Sequence, residues 1–348
     1  MRAGITRREQ AEIVGTAVLV GIAGALDLAG SNAVVRFVAA ALALATLARL
    51  VGTATEQLGG RLGAGGAGTV QSALGNLPEL FVALFALQKG LVGVVKAALI
   101  GSVLANSLLV LGLAFFAGGL RNGVQRFDSP RARTIATLTL LAAAVLSVPT
   151  FAQTLHAPAA AHEQTLSLIC GGVLLVVFFS TLGIFLGAAG AELEPPRWPL
   201  WATIAVLAAS ATGAVFVSDW FVSALQPATS ALHMSETFAG LVVVAIAGNA
   251  VENVVGVQLA LRNRADFAIA VIVNSSLQVA LALTPVVLFA SLFFATSMTL
   301  VFPTLLAVSL LLAAFVTAVV VYDGESTWPE GVVLVGLYVV IAASFWWG

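Results

Sequence analysis

Two five-residue segments of this chain say nearly the same thing. Gly75-Asn76-Leu77-Pro78-Glu79 and Gly248-Asn249-Ala250-Val251-Glu252 each set a carboxylate inside a long apolar stretch. In both cases a serine follows the glycine by 27 residues, Ser102 in the first half and Ser275 in the second. A charged side chain deep in hydrocarbon costs about 2.5–3.5 kcal/mol on insertion scales, so such residues are rare there unless they are used. Two of them in matched contexts, one per half, suggest a duplicated membrane protein with one shared cation site.

Composition agrees with a bilayer as solvent. Of 348 residues 60% are hydrophobic and only 9% charged, against roughly 25% charged in a soluble domain. No soluble fold of this length hides so much apolar surface. The net charge of −1 gives no reason to expect a nucleic-acid partner. The single cysteine, Cys170, has no intrachain partner and reads as a small core or lipid-facing residue. The first apolar run, about 13–30, carries no convincing small-residue cleavage site and reads as a retained helix rather than a signal peptide.

A spanning helix needs about 20 apolar residues, and eleven stretches fit: 12–30, 33–53, 67–88, 92–118, 133–149, 165–188, 199–218, 237–261, 266–290, 299–321 and 330–347. The expected breaks are a glycine-rich loop from Gly59-Gly60 to Gly68, a linker at Glu194-Pro195-Pro196-Arg197 and a last turn at Asp323-Gly324-Glu325. With the N-terminus inside, the cytoplasmic segments hold Arg2, Arg7, Arg8, Arg61, Arg121, Arg126, Arg131, Arg133, Arg197, Arg262 and Arg264, eleven of the fifteen Lys and Arg. The positive-inside rule therefore puts the N-terminus in the cytoplasm, and Trp346 and Trp347 become interfacial anchors at the far side. Arg36, Arg49, Lys89 and Lys96 are expected mostly to snorkel to an interface.

The fold class that follows is an all-α integral membrane protein of about eleven transmembrane helices. Residues 1–31 supply an N-terminal helix, 32–190 a first five-helix repeat, 191–198 a cytoplasmic linker and 199–348 a second five-helix repeat. Five is odd, so the second copy enters the membrane from the opposite side. In proteins built from such inverted repeats the substrate site lies near the midplane where the repeats meet. At a fixed offset of 173, Val82 meets Val255, Lys89 meets Arg262, Ala97 meets Ala270, Leu104 meets Leu277 and Leu108 meets Leu281.

Gly and Asn are poor helix formers, and Pro78 removes a backbone donor and frees the carbonyl of Leu74. The helix is expected to kink or unwind at Gly75 and Gly248, baring carbonyl oxygens beside each acid. Irregular backbone at this depth is tolerated where it lines a cavity or is buried in protein. Asn76 and Glu79 are three apart and share a helical face, as do Asn249 and Glu252. Two carboxylates, two amides and backbone oxygens form a hard-ligand set that suits Ca²⁺. Neither motif contains the Cys or His that a soft metal prefers. Ser102 and Asn106 on the fourth span, and Ser275, Ser276 and Gln278 on the ninth, are expected to complete the shell, though Ser and Asn in membrane helices also serve simply to glue helices together. Two carboxylates that share a cation also share protons. Cation binding displaces protons and protons displace the cation, so competition alone couples the two fluxes.

These motifs resemble the calcium/proton exchanger family of the calcium:cation antiporter superfamily. Its members have one N-terminal helix, two inverted five-helix repeats and a Gly-Asn-Ala-x-Glu motif in each. Asn274-Ser275-Ser276-Leu277-Gln278 is similar to the second-repeat signature, with Pro285 where the family usually keeps a proline. Gly101-Ser102-Val103-Leu104-Ala105-Asn106-Ser107-Leu108-Leu109-Val110-Leu111-Gly112 resembles the partner helix of the first repeat. The chain departs from the pattern at Leu77-Pro78, at Asn253, where the family commonly has His, and at Asn274, where Gly is usual. Pro78-Glu79 is reminiscent of sodium/calcium exchangers. Those proteins, however, carry hydroxyls where this chain has Gly75, Asn76, Gly248 and Asn249, which argues against dedicated Na⁺ sites.

The resemblance implies a Ca²⁺/H⁺ antiporter working by alternating access in a prokaryotic inner membrane, with Ca²⁺ and H⁺ as transported ions and no cofactor. The alternative is a Na⁺/Ca²⁺ or other cation exchanger on the same scaffold. A membrane hydrolase lacks a nucleophile or metal cluster here, and a channel rarely needs one asymmetric site between inverted repeats. Glu56 and Asp219 are expected at the ends of the first helix of each repeat, as entrance acids or as simple helix-end residues. Asp27 reads as an interfacial acid, and His156, His162 and Glu163 as a solvated loop. The glycines of 63–68 are not followed by Lys-Ser/Thr, so they form no phosphate loop.

Overall fold

A computed structural model describes residues 4–189 and 196–347, with the backbone alone for 62–73, 182–189 and 251. Arg2, Glu194 and Pro195, which the sequence puts at the inner face, lie outside the described residues. In chain order the helices are α1 (Arg7–Leu28), α2 (Ala33–Leu74), α3 (Leu77–Gln88), α4 (Val92–Leu104), α5 (Leu111–Asn122), α6 (Ser129–Thr154), α7 (Glu163–Ala189), α8 (Leu200–Leu232), α9 (Glu236–Phe238), α10 (Ala245–Gly248), α11 (Ala250–Leu261), α12 (Ala265–Gln278), α13 (Thr284–Ser291), α14 (Thr304–Val320) and α15 (Trp328–Ser344). Three π-helical turns, Ala105–Val110, Ala239–Val244 and Val279–Leu283, join α4 to α5, α9 to α10 and α12 to α13. Such turns, with one residue more per hydrogen-bonded loop, concentrate at functional sites.

Among the described residues seven helices are long and apolar enough to cross a membrane: Arg7–Leu28, Ala33–Arg61, Val92–Asn122, Ser129–Thr154, Pro158–Thr181, Leu200–Leu232 and Ala265–Ser291. A broken pair, Glu236–Gly248 with Glu252–Leu261, would be an eighth, and Leu77–Gln88, Thr304–Val320 and Trp328–Ser344 are shorter apolar helices. The expected glycine-rich loop is a correction: α2 continues as helix through Gly59–Gly68 to Leu74. Each interior glycine disfavours helix by about 1 kcal/mol relative to alanine, a preference that surroundings override.

The chain divides into two compact units. The first comprises Met1–Ala86, Phe179–Glu236 and Ala247–Val251. Within it α1, α2 and α8 pack together, with Phe37 stacked on Phe221 at 4.8 Å between ring centres. Thr6 and Glu9 form a reciprocal capping box at the start of α1, so two backbone donors of its first turn are satisfied. Gly24 lies under the Trp220 ring, where a Cβ would approach the ring carbon Cη2 to 2.8 Å. Arg36 pairs with Asp27 at 3.2 Å and Arg49 with Glu12 at 2.9 Å, which ties α1 to α2. These two arginines therefore reach carboxylates on the neighbouring helix rather than simply snorkelling, because a paired charge needs less water than a lone one. Gln57 accepts from the backbone N–H groups of Arg197 and Trp198, and the Arg61 guanidinium donates to the Trp198 carbonyl, which fixes the entry to α8.

The second unit comprises Leu87–Phe178, Thr237–Ile246 and Glu252–Gly348. Here α6 packs on α14 and α12, α5 on α15, and α4 on the π turn Ala239–Val244. Strands β1 (Gln125–Arg126) and β2 (Glu325–Ser326) pair antiparallel and join the turn after α5 to the turn before α15. The expected tenth span starts at 299, but Met298–Phe302 is non-helical, with Met298, Leu300 and Phe302 buried, and α14 begins only at Thr304. Its N–H groups alternate onto helix hydroxyls. Met298 donates to Ser291, Leu300 to Ser167 and Phe302 to Thr150, each at 2.8–2.9 Å. On the carbonyl side Thr150 donates to Leu300 at 3.2 Å and Lys96 Nζ to Val301 at 2.6 Å. Lys96 also donates to the Thr299 hydroxyl at 3.2 Å, so this lysine serves the strap instead of snorkelling. Buried backbone without a partner strand is satisfied here by side chains, as buried polar groups must be.

Candidate cation site

In the first unit α2 ends at Leu74, Gly75-Asn76 forms a turn and α3 begins at Leu77. Pro78 occupies the second position of the new helix, where the missing N–H would have had no intrahelical partner in any case. The Asn76 carbonyl accepts from Leu80 N at 3.0 Å, the first helical bond of α3. Glu79 is the third residue of α3. The partial positive charge at a helix N-terminus favours a carboxylate in that turn. Glu79 is 6% exposed, and Asn76 is buried beside it in sequence.

Gly248 and Asn249 belong to the same unit, and Asn249 is completely buried. Gly248 lies directly against the Glu79 side chain: a Cβ there would stand 2.5 Å from Glu79 Cγ, 2.9 Å from Cδ and 3.0 Å from Oε1. No side chain fits between them. The glycine of the second motif thus makes room for the acid of the first. Gly248→Ala is expected to leave the fold intact, because the obstructing atoms belong to a flexible side chain, but to displace the carboxylate. The affinity for any cation bound at that carboxylate should then fall about tenfold, equivalent to about 1.4 kcal/mol, and an unchanged affinity would mean that the Glu79 carboxylate does not need its observed place.

The second motif repeats the local design. Helix α10 ends at Gly248, Asn249 stands outside the helices and α11 begins at Ala250, so Glu252 is again the third residue of a helix. The pieces Glu236–Gly248 and Glu252–Leu261 are bent by 61°. Glu252 is 9% exposed and belongs to the second unit. The break lies at Gly-Asn in both motifs, and the glutamate follows it in the first turn of the next helix.

The second unit also holds the polar partners on α4 and α12. Ser102 lies buried near the end of α4. Its neighbour Gly101 touches backbone: a Cβ would lie 2.4 Å from the Leu241 carbonyl oxygen and 2.6 Å from Leu241 Cα. Gly240 answers from the other side, where a Cβ would lie 2.7 Å from the Val94 carbonyl oxygen. Asn106 Nδ2 donates to Ser275 Oγ at 3.0 Å, and the Ser107 and Ser276 hydroxyls bond to each other at 3.1 Å. Thr317 in turn donates to the Ser107 carbonyl at 3.2 Å. Gln278 closes α12, buried, one residue before a π turn. Asn106, Ser275 and Ser276 are thus brought together in pairs, as helix-to-helix hydrogen bonds. Ser107 is the member that sequence reasoning passed over. Its signal is adjacency to Asn106 in a run where Ser-Ser stands on the other strand of the pattern.

The helix-end placement of Glu56 and Asp219 is a correction. Neither stands at a helix end, since α2 runs on to Leu74 and α8 to Leu232. Beyond Asp219 the run Trp220-Phe221-Val222 continues apolar, and Phe221 and Val222 are buried, so helix continues with it. Cys170 is buried in α7.

Among the described residues no three His, Cys, Asp or Glu side chains gather. A cation at either glutamate would need amide, hydroxyl or backbone oxygens to complete its shell, the donors of hard ions. The profile of a family described as sodium/calcium exchanger protein matches residues 32–187 and 202–347. A Ca²⁺/H⁺ antiporter of Synechocystis is 32% identical over 336 residues, 89% of this chain and 90% of that one. The Ca²⁺/H⁺ antiporter ChaA of Bacillus subtilis is 34% identical over 329 residues, 89% of this chain and 92% of its own. The solved structure of native YfkE superposes with a TM-score of 0.82 at 31% identity, covering 95% of this chain and 99% of that one.

Proposed function

The chain belongs to the sodium/calcium exchanger protein family, and we propose that it is a secondary active antiporter exchanging Ca²⁺ for H⁺. One observation carries the reading: a helix broken at Gly-Asn with a buried glutamate in the first turn that follows, built twice. Glu79 and Glu252 take Ca²⁺ when ionised and give it up when protonated, so a proton gradient drives Ca²⁺ without a separate proton pathway. Asn76, Asn249, Ser102, Asn106, Ser275, Ser276 and Gln278 supply neutral oxygens, and the backbone about Leu74, Gly75, Pro78 and Gly248 supplies carbonyls. No bond is made or broken in this work, so the protein is a transporter and not an enzyme.

Counting the broken pair and the three shorter apolar helices as spans gives the arrangement of one N-terminal helix and two inverted five-helix repeats, which alternates access between the two sides. The basic residues support a cytoplasmic N-terminus, and the bacterial relatives a prokaryotic plasma membrane.

The choice of coupling ion rests on Gly75, Asn76, Gly248 and Asn249, which offer no hydroxyl to a sodium ion. In inside-out vesicles a pH gradient is expected to drive robust Ca²⁺ uptake. A Na⁺ gradient of similar free energy, at fixed pH with a proton ionophore present, should drive little. Na⁺-driven uptake insensitive to the ionophore would replace this reading with a sodium/calcium exchanger.

A further inference from the structure

Asn253 follows Glu252 in the first turn of α11, half-buried. Its Nδ2 donates to the backbone carbonyl of Ile246 at 3.2 Å, seven residues back. Ile246 lies in α10, so this bond crosses the interruption at Asn249 and joins the two helical pieces whose axes bend by 61°. A side chain–backbone bond over seven residues is not a feature of regular helix, where the i−4 carbonyl is the partner. The Asn253 Oδ1 is buried with no hydrogen-bond partner. A buried amide oxygen left so is unfavourable, and a leucine would fill the same space without that burden. The amide therefore has a use that the burial alone does not explain, and its bonded nitrogen identifies it.

Where Gly248 and Asn249 break the helix, the backbone no longer dictates how α11 follows α10. Something else must fix the bend, and Asn253 is the side chain that bonds across it. We propose that Asn253 is a positioning residue for exchange: by donating to the Ile246 carbonyl across the break it holds the bend of the second motif, and with it the direction in which Glu252 presents its carboxylate. The inference rests on the reading of Glu252 as a Ca²⁺-binding group. Adjacent residues on a helix do not face each other, so Asn253 acts through the bend and not by contact with the ion.

Asn253→Leu keeps the branching and the number of heavy atoms and removes the donor. In vesicles driven by a fixed pH gradient, its apparent KM for Ca²⁺ is expected to rise about tenfold, the worth of one hydrogen bond of this kind, with maximal rate changed far less. Asn253→His places an N–H on the atom bonded to Cγ, where the asparagine nitrogen stood, and should recover most of the affinity. A merely structural asparagine would lower the amount of folded protein and leave KM unmoved. If the leucine variant fails to fold, Asn253→Ala, which removes the donor without adding apolar bulk, carries the same expectation. A wild-type KM in the folded leucine or alanine variant overturns the proposal, as does a folded histidine variant no better than leucine. Glu252→Gln in the same assay separates the two claims. If it transports normally the Glu252 reading fails, whereas an inactive Glu252→Gln beside a normal Asn253→Leu sinks the positioning role alone.

Discussion

Glu79→Gln and Glu252→Gln are each expected to abolish Ca²⁺-dependent proton exchange while the protein stays folded. The amide matches the carboxylate in shape but cannot carry charge. Each acid stands in the first turn after a helix break and is buried, so water cannot take its place around a divalent ion. Removing one partner from a buried charge interaction costs about 3–5 kcal/mol, which exceeds a hundredfold in affinity at about 1.4 kcal/mol per factor of ten. Stability should not suffer, because burying a neutral amide is easier than burying an ionised acid. Uptake of radioactive calcium into proteoliposomes, alongside the elution profile of the purified variant, tests both halves. Near-normal flux in either folded variant removes that glutamate from the exchange.

Gly101→Val should be the most disruptive substitution away from the acids. A Cβ at 101 meets the carbonyl oxygen, Cα and carbonyl carbon of Leu241 at 2.4, 2.6 and 2.8 Å, all of them backbone. Backbone cannot rotate aside as a side chain can, so α4 and the π turn Ala239–Val244 would have to separate. Overpacking of this kind costs about 1–3 kcal/mol or more, and small residues are what let membrane helices approach so closely. The displacement would also carry Ser102, the next residue. The expected result is a lower melting temperature in detergent and loss of transport. Gly93→Ala is the control, since a Cβ there meets nothing within 4 Å. A Gly101 variant as stable and active as that control would show that the crossing is looser than observed.

Much of this was legible in the residues, for reasons that also explain what was not. The breaks at Gly75-Asn76 and Gly248-Asn249 were visible because two poor helix formers interrupt an otherwise apolar run, and position relative to a break is a local matter. Long apolar stretches gave the spanning helices for the same reason. The glycines of 59–68 point to a loop by a propensity of only about 1 kcal/mol each, weak enough for surroundings to override, and α2 runs through them. The π turns left no trace in composition: Ala105–Val110 and Ala239–Val244 contain ordinary residues, and the extra residue answers to packing against α12 and α4. Arg36, Arg49 and Lys96 were read one at a time, whereas their partners Asp27, Glu12 and Val301 are specified only by the fold. Within the candidate site the glutamates announced themselves by their charge. The pairing of Ser107 with Ser276 did not, because a hydroxyl in a membrane helix has many possible partners.

The non-helical stretch Met298–Phe302 bears on how a transporter of this kind can move. Ser291, Ser167, Thr150 and Lys96 reach it from α13, α7, α6 and α4 respectively. Four helices are thereby keyed to one short non-helical segment. Sliding any one of them by a helical turn, about 5.4 Å, would strip one or two of these polar groups of their partners. Shear between these four helices is therefore opposed by about 1 kcal/mol for each bond lost, which favours displacement at other joints during exchange.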